Sequence, residues 1–463
     1  MRVCGVYFVF VILLSACTNG VSHLDIALQQ AKHNKAELEK VLKHFKHDSL
    51  KYRAACFLIE NMPGKYSILP YDSLDRYKNF LKIIPQNDPI SWDVRYSKIW
   101  HGFDSISKRQ LAGFSKIEDI KVITGDYLIK NIEYAFKIWE NGKIKDYCSF
   151  DEFCHYILPY RIDHEPLSNW REEGFQKFGH LLDSLMSPRE LALRIIKLGG
   201  MRYNIGMTKY PYKQSYVEML QTRWGTCDDM AAFLALSLRA IGIPASIDYV
   251  PAWANRSSSH CWNVVKDATG DFIEVGYGPE GKNEVVYKIS KIYRKKYDIP
   301  LCDVTSEYAM PLSDLTFRVP SQKDKQLISL CTFNNHDWVP VALSKVMNGS
   351  VLFESVGRGI LWGDNQIRTY LNEGKGIVFL AFISQNGRLN NKPIGFPIIL
   401  LEDGTIKELC ASTEKESIIL YRKYPYYGSN NAIIHDSNEI CVDNDEGGNL
   451  AASKIRNLEC PSY

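Results

Sequence analysis

What this sequence lacks narrows its chemistry. After the first apolar stretch, no hydrophobic run approaches the roughly 20 residues needed to cross a bilayer. The formal net charge is only +3 over 463 residues, with no block of like charge, so neither a nucleic-acid surface nor a polybasic membrane patch is expected. There is no internal repeat and no low-complexity block. The twelve cysteines follow no regular spacing. Cys148 and Cys154 are the one close pair outside the central stretch, and no histidine or cysteine partners stand at zinc-ligand spacing from them. No acidic loop has the oxygen-ligand pattern that calcium requires. No metal and no cofactor are therefore expected.

The remainder is ordinary globular composition, 45% hydrophobic and 24% charged, and the length predicts two or three domains. At the N-terminus Arg2 precedes an apolar run from Gly5 to Leu14, too short to span a membrane, which ends in Leu14-Ser15-Ala16-Cys17. This is a secretion signal, and it resembles the lipobox of bacterial lipoproteins. The resemblance implies cleavage before Cys17, a lipid on Cys17 that ties the chain to a membrane, and a place in the cell envelope, at the outer membrane or cell surface. Residues 1–16 are then the signal peptide and 17–23 a polar tether. Ten cysteines besides Cys4 and Cys17 could oxidise in an exported chain, but a chain of this size does not need disulfides.

Residues 24–180 read as an α-helical domain. Leu24, Leu28, Ala31, Leu38, Leu42 and Phe45 recur at helical spacing, Asp48 can cap a second helix that stops at Met62-Pro63-Gly64, and further helical patterns run over Leu74–Ile84 and Tyr127–Trp139. The aromatic and charged stretch from Phe150 to Arg171 can line a groove, with Arg161 and Glu165 as polar contacts; equally it can be a packed helix end with a structural Arg–Glu pair. Ser187-Pro188-Arg189-Glu190 is a capping box with proline at the first helical position, and the helix it starts ends at Gly199-Gly200.

From residue 300 to 430, β-rich runs at Leu327–Phe333, Trp338–Leu343, Ser350–Phe353, Gly376–Ile383, Phe396–Leu401 and Ser417–Tyr421 alternate with Gly, Asn and Asp turns, which suits a β-sandwich. Trp338, Trp362 and Tyr370 are candidates for stacking on sugar rings, a possible glycan contact of this domain. Residues 431–463 form an irregular tail.

The chemistry concentrates in residues 181–299. Thr226 and Asp229 form a capping box that places Cys227 in the first turn of an apolar helix, where free amide N–H groups and the helix dipole favour a thiolate. Asp228 and Asp229 oppose that thiolate unless they point away. The helix ends at Gly242-Ile243-Pro244, and strands follow at Ala245–Val250, Cys261–Val265 and Phe272–Tyr277, so His260 starts a strand within reach of Cys227. Alternation along that strand predicts that Cys261 faces away from the nucleophile.

The three segments Gly225-Thr226-Cys227-Asp228-Asp229-Met230-Ala231, Leu238-Arg239-Ala240-Ile241-Gly242-Ile243-Pro244-Ala245 and His260-Cys261-Trp262-Asn263 resemble the signature of the transglutaminase-like superfamily. The whole chain is similar to lipoproteins of gut Bacteroidota built around such a core. The fold implied is α+β, a transglutaminase-like, papain-like core between an N-terminal α-helical domain and a C-terminal β-sandwich-like domain. The mechanism implied makes Cys227 the nucleophile and His260 the base, with the Cys227 N–H and either Gln221 or Trp224 at the oxyanion. The family's third residue is an aspartate where this chain has Gly276; Glu274, two residues earlier on the same strand face, is the expected substitute. Trp253, Asn255 and Arg256 before His260, with Trp262 after it, are expected to line the substrate cleft.

Two functions stay open. One is a cysteine amidase or protease acting on a peptide or glycopeptide outside the cytoplasm. The other is a weak or inactive surface lipoprotein that binds glycan or protein through its β-rich domain, favoured by the altered third position.

Overall fold

The computed structural model describes residues 22–69, 115–141, 143–203, 213–255, 258–283, 287–299, 301–319, 323–334, 337–362, 376–385 and 388–409, with isolated strand segments between 419 and 441. The signal segment with Cys17, the Leu74–Ile84 pattern, Arg256 and Tyr370 lie outside the described residues.

Helices dominate the first part of the chain. The pattern expected as one helix from Leu24 to Phe45 is broken into α1 (His23–Ala31) and α2 (Lys35–His44) by a 3₁₀ turn at Lys32–Asn34. The reason is tertiary: the buried Asn34 amide donates to the carbonyls of Ile120 (3.2 Å) and Ile123 (2.9 Å), which turns the chain there. Asp48 caps α3 (Ser49–Glu60) by accepting from the Lys51 N–H at 3.1 Å. With α4 (Gly125–Asn141) and α5 (Phe150–Tyr156) these helices enclose one cluster that includes Leu38, Leu58, Ile132, Phe136 and Phe153.

A second cluster forms around the helix that carries Cys227. Helices α6 (Trp170–Phe178), α7 (Pro188–Gly199) and α8 (Tyr216–Thr222) pack about α9 (Cys227–Ala240), every residue of which from Asp229 onward is buried. Ser187 and Glu190 make the capping box of α7, and Gly200 ends it in the left-handed conformation. Helix α6, expected to belong with the helices before it, instead contributes Trp170 and Phe178 to the cluster around α9.

An antiparallel five-stranded sheet lies on the other side of α9. Its strands are β1 (Ala245–Val250), β2 (His260–Lys266), β3 (Phe272–Val275), β4 (Tyr293–Arg294) and β5 (Cys302–Asp303), ordered β5-β4-β1-β2-β3. Farther on, β6 (Leu312–Arg318) pairs with β9 (Ser350–Gly357). A second antiparallel sheet has the order β8-β7-β10-β11-β12, from β7 (Leu327–Asn334), β8 (Asp337–Lys345), β10 (Ile377–Gln385), β11 (Arg388–Leu400) and β12 (Ile406–Glu408). Both ladders turn residues such as Leu315, Phe353, Leu330 and Phe379 into one cluster, alternating as strands do. Trp338 is half-buried and packs against Phe333 and Phe382.

Arg161 and Glu165 do not reach the nucleophile's surroundings as cleft residues; they lock the fold. Both are buried. The Arg161 guanidinium bridges Asp119 at 2.6 and 2.7 Å and donates to the carbonyls of Tyr66, Asp163 and Glu165. The Glu165 carboxylate accepts from the Ile162 and Asp163 N–H groups at 2.6 and 2.7 Å, closing its own loop. Loops carry unpaired polar groups that need such partners once buried. Arg161→Met is expected to destabilise the protein by about 3–5 kcal/mol, because Asp119 stays buried without its cation. Urea denaturation checks this, and a loss below about 1 kcal/mol would overturn the structural role of Arg161.

Candidate active site

Helix α9 begins as its sequence dictates. The Asp229 N–H donates to Thr226 Oγ1 (3.3 Å), and the Asp229 carboxylate accepts from the Thr226 N–H and hydroxyl, both at 2.9 Å. That takes Asp229 back toward the cap and out of the way of the thiol. Upstream, buried Gln214 donates to the Trp224 carbonyl (2.8 Å) and accepts from the Thr222 hydroxyl (2.8 Å), which pins the approach to Cys227. No spacing rule pointed to Gln214. A cation on the ring of Trp224, from Arg202 at 5.7 Å, completes the wall.

Strand β2 is joined to α9 by Asn263, whose buried amide donates to the Ala231 carbonyl at 2.8 Å. Asn263 and Cys261 share a strand face, so this bond turns Cys261 toward the helix. The expectation for Cys261 is therefore reversed: its buried thiol donates to Asp228 Oδ1 at 3.5 Å, and the ligand atoms of Cys227, Asp228 and Cys261 all lie within 4.8 Å of one another. The asparagine in His260-Cys261-Trp262-Asn263 was the available signal, since a buried amide must find a partner on the helix. The close grouping of two thiols and a carboxylate also departs from the expectation of no metal-ligating set.

His260 stands at the open end of β2, walled by indoles. Its ring stacks on Trp253 (5.8 Å, 21°), lies 5.9 Å from Trp262 and meets Trp362 edge-on at 6.1 Å. Its Nε2 is buried and makes no hydrogen bond among the described residues. Long or misaligned catalytic hydrogen bonds are common in unliganded enzymes. Trp253 and Trp262 are buried and support His260 from beneath, rather than lining an open cleft. The Trp262 Nε1–H donates to the Tyr308 hydroxyl (2.9 Å). Asn255 is likewise occupied, accepting from the Lys288 N–H at 2.9 Å. Trp362, read as a sugar-stacking residue, belongs instead to the wall around the imidazole.

Glu274 does not orient His260. The register pairs Glu274 with Val264, four residues from His260, a distance of about 13 Å along a strand. Its carboxylate accepts from Trp362 Nε1 (2.8 Å) and the Asn283 amide (3.1 Å), and burial raises its pKa. Glu274 thus holds the tryptophan that borders the imidazole. At Gly276 a Cβ would stand 2.5 Å from Asn283 Oδ1 and 2.8 Å from the Lys282 carbonyl, so no side chain fits there.

Gln221 is exposed near the end of α8 and makes no hydrogen bond among the described residues. Trp224 is buried just before the helix. The N–H groups of Cys227 and Asp228, in the first turn, are left over by the capping box and are the donors available to an anion above the thiol.

The electrostatics favour the thiolate. The Cys261 thiol beside it is the largest cause; together with His260 it outweighs burial and the Asp228 charge and holds the Cys227 thiol down to about 5 from an ordinary 9.0. Cys261, facing the Cys227 sulfur and buried, is pushed well up. Asp228 is kept ionised chiefly by Lys213, whose Nζ is 3.6 Å from its Oδ2. Lys295 pairs with Asp163 at 2.9 Å nearby. By contrast, burial lifts the Cys148 and Cys154 thiols to about 12.

Residues 180–276 match the family described as the transglutaminase-like superfamily, so the chain carries a domain of that kind. Among solved structures, a proposed cysteine protease from Cytophaga hutchinsonii is similar at 14% identity with a TM-score of 0.20, a likeness too slight to bear on the site. The match covers 42% of this chain and 51% of that protein, about half its length. No curated protein matches the chain.

Iodoacetamide alkylation of Cys227, followed by peptide mass spectrometry in the presence of a chelator, is expected to rise with a midpoint near pH 5 rather than 9. At pH 6 its rate should exceed that of an ordinary thiol by about tenfold, the thiolate gain being partly offset by lower nucleophilicity. Cys261→Ala and His260→Ala should each move the midpoint upward. A midpoint near pH 9 in the unaltered protein would remove the activated thiolate.

Proposed function

We propose that the protein is a cysteine-nucleophile acyl-transfer enzyme that hydrolyses an amide bond of a peptide or glycopeptide. The single observation that carries this reading is the Cys227 thiol at the helix N-terminus, with a thiol and an imidazole both favouring its anion. In the first step the thiolate attacks the carbonyl carbon, and the carbonyl π pair moves onto oxygen. The developing oxyanion is received by the first-turn N–H groups of α9, a contribution worth about 10²–10³ in rate where it has been removed elsewhere. Collapse re-forms the carbonyl and breaks the C–N bond, and His260, which holds the proton taken from the Cys227 thiol, gives it to the leaving amine. Water, losing its proton to His260, then hydrolyses the thioester and frees the acid and the Cys227 thiolate.

His260 is positioned differently from the family pattern. Three indoles and the strand hold its ring, and Glu274 acts only through Trp362. Among the described residues no carboxylate meets the imidazole to stabilise its charged form, an arrangement that lowers activity without removing thiolate chemistry. That same observation favours a second reading, a surface lipoprotein of little or no activity that binds glycan or protein through the β-rich residues 300–430, a segment we read as a sandwich. In either case we infer a lipid anchor at Cys17 that holds the chain to the cell envelope.

Two experiments test these readings. Incubation with a panel of peptide and glycopeptide amides should yield free amine and an acid-trapped acyl-enzyme on Cys227, and Cys227→Ala should lower turnover by at least about a thousandfold. If no amide is cleaved and the intact protein instead binds a glycan array, the second reading replaces the first. Separately, expression with a labelled fatty acid should mark the full-length chain, and Cys17→Ser should abolish the label; persistent label would place the lipid elsewhere.

A further inference from the structure

We infer that Cys227, Cys261 and Asp228 form a binding site for a soft or borderline divalent cation of the zinc type, and that its occupancy closes the nucleophile. Two thiols and a carboxylate oxygen lie within 4.8 Å of one another, on residues drawn from the start of α9 and the start of β2. Tetrahedral zinc, with Zn–S near 2.3 Å and Zn–O of about 2.0–2.2 Å, sets its ligand atoms about 3.6–3.8 Å apart. The edge from Cys261 Sγ to Asp228 Oδ1 is already 3.5 Å, so a cation closes the triangle with shifts of about 1 Å or less at Cys227.

The carboxylate is arranged for the part. Lys213 stands 3.6 Å from Oδ2, while Oδ1 faces Cys261, so one oxygen is neutralised by a cation of the protein and the other points into the cluster. The proton that now joins Cys261 to Asp228 is the group a metal replaces; each thiol still protonated gives its proton to solvent as the metal–sulfur bond forms, and nothing is oxidised or reduced. Three protein ligands leave the fourth corner of a tetrahedral ion to water. A donor set of two sulfurs selects zinc or a similar cation over magnesium and calcium, which prefer oxygen. A bound cation holds the sulfur lone pair that attack on a carbonyl requires, so the metal-bound and reactive states exclude each other.

The probe is Co²⁺ alone, titrated without oxygen into the reduced, chelator-stripped mature protein. One equivalent should produce a thiolate-to-cobalt charge-transfer band in the near ultraviolet and the intensified visible bands of a tetrahedral ion, and Zn²⁺ should abolish both. Cys261→Ser should lose about half of the charge-transfer intensity and weaken binding by at least about tenfold; Asp228→Asn should weaken binding yet keep the full band. Cys56→Ser, remote from the site, should match the unaltered protein. Zn²⁺ should protect Cys227 from iodoacetamide, and EDTA should restore its reactivity. Absence of the band, or a band that survives the double change Cys227→Ser and Cys261→Ser, overturns the site. The outcome is independent of turnover: a band without amide cleavage keeps the metal site and removes the enzyme, and cleavage without a band does the reverse.

Discussion

The site depends on one contact, the seating of helix α9 against strand β2. Asn263 makes the connection by spending its buried amide on the Ala231 carbonyl, four residues into the helix from Cys227. A buried amide left unpaired costs about 1–3 kcal/mol, so the bond favours a single register between helix and strand. From that register the rest follows: Cys261 turns inward, His260 comes to the open edge, and the helix N-terminus points at both. The apolar body of α9, packed by α6, α7 and the sheet, holds the arrangement against thermal drift.

Beneath this contact runs a polar frame buried as deeply as the hydrophobic clusters. Trp262 donates to Tyr308, Tyr308 to Asp248 at 2.6 Å, and Arg294 closes on Asp248 with two bonds at 2.9 and 2.8 Å. The Arg294 guanidinium also covers the face of Phe272 at 4.2 Å. Arg171 does comparable work at the far end of α9, donating to the carbonyls of Arg239 and Ile157, and burial lowers its pKa to about 9. Buried ions of this kind add little net stability by themselves, yet removing one partner is costly. They therefore make the surroundings of the site intolerant of small rearrangements.

How much of this was legible in the sequence depended on the range of the forces involved. The starts of α7 and α9 are decided within four residues, by Ser187 with Glu190 and by Thr226 with Asp229, and can be read locally. The break at Lys32–Asn34 cannot, because Asn34 answers to carbonyls near residue 120. Strand parity put Glu274 on the correct face, but parity is silent about register, and register set it opposite Val264. For Cys261, parity was counted correctly from His260 and led to the wrong side, because the helix packs on the face of Asn263 and Cys261 while His260 reaches the thiol from the end of the strand. Trp362 lies about a hundred residues from His260 in the chain, and nothing local announces their meeting.

The turn after β3 also bears on how the site responds to change. With Asn283 Oδ1 and the Lys282 carbonyl within 2.8 Å of where a Cβ at Gly276 would stand, an aspartate at that position requires the loop to shift. The loop holding Asn283 would have to change in the same step, and Asn283 is itself bound to the carboxylate that holds Trp362. The backbone of this turn, the Asn283 amide, the Glu274 carboxylate and the Trp362 indole therefore move as one mechanical unit, and a change at Gly276 is transmitted to the wall of the histidine.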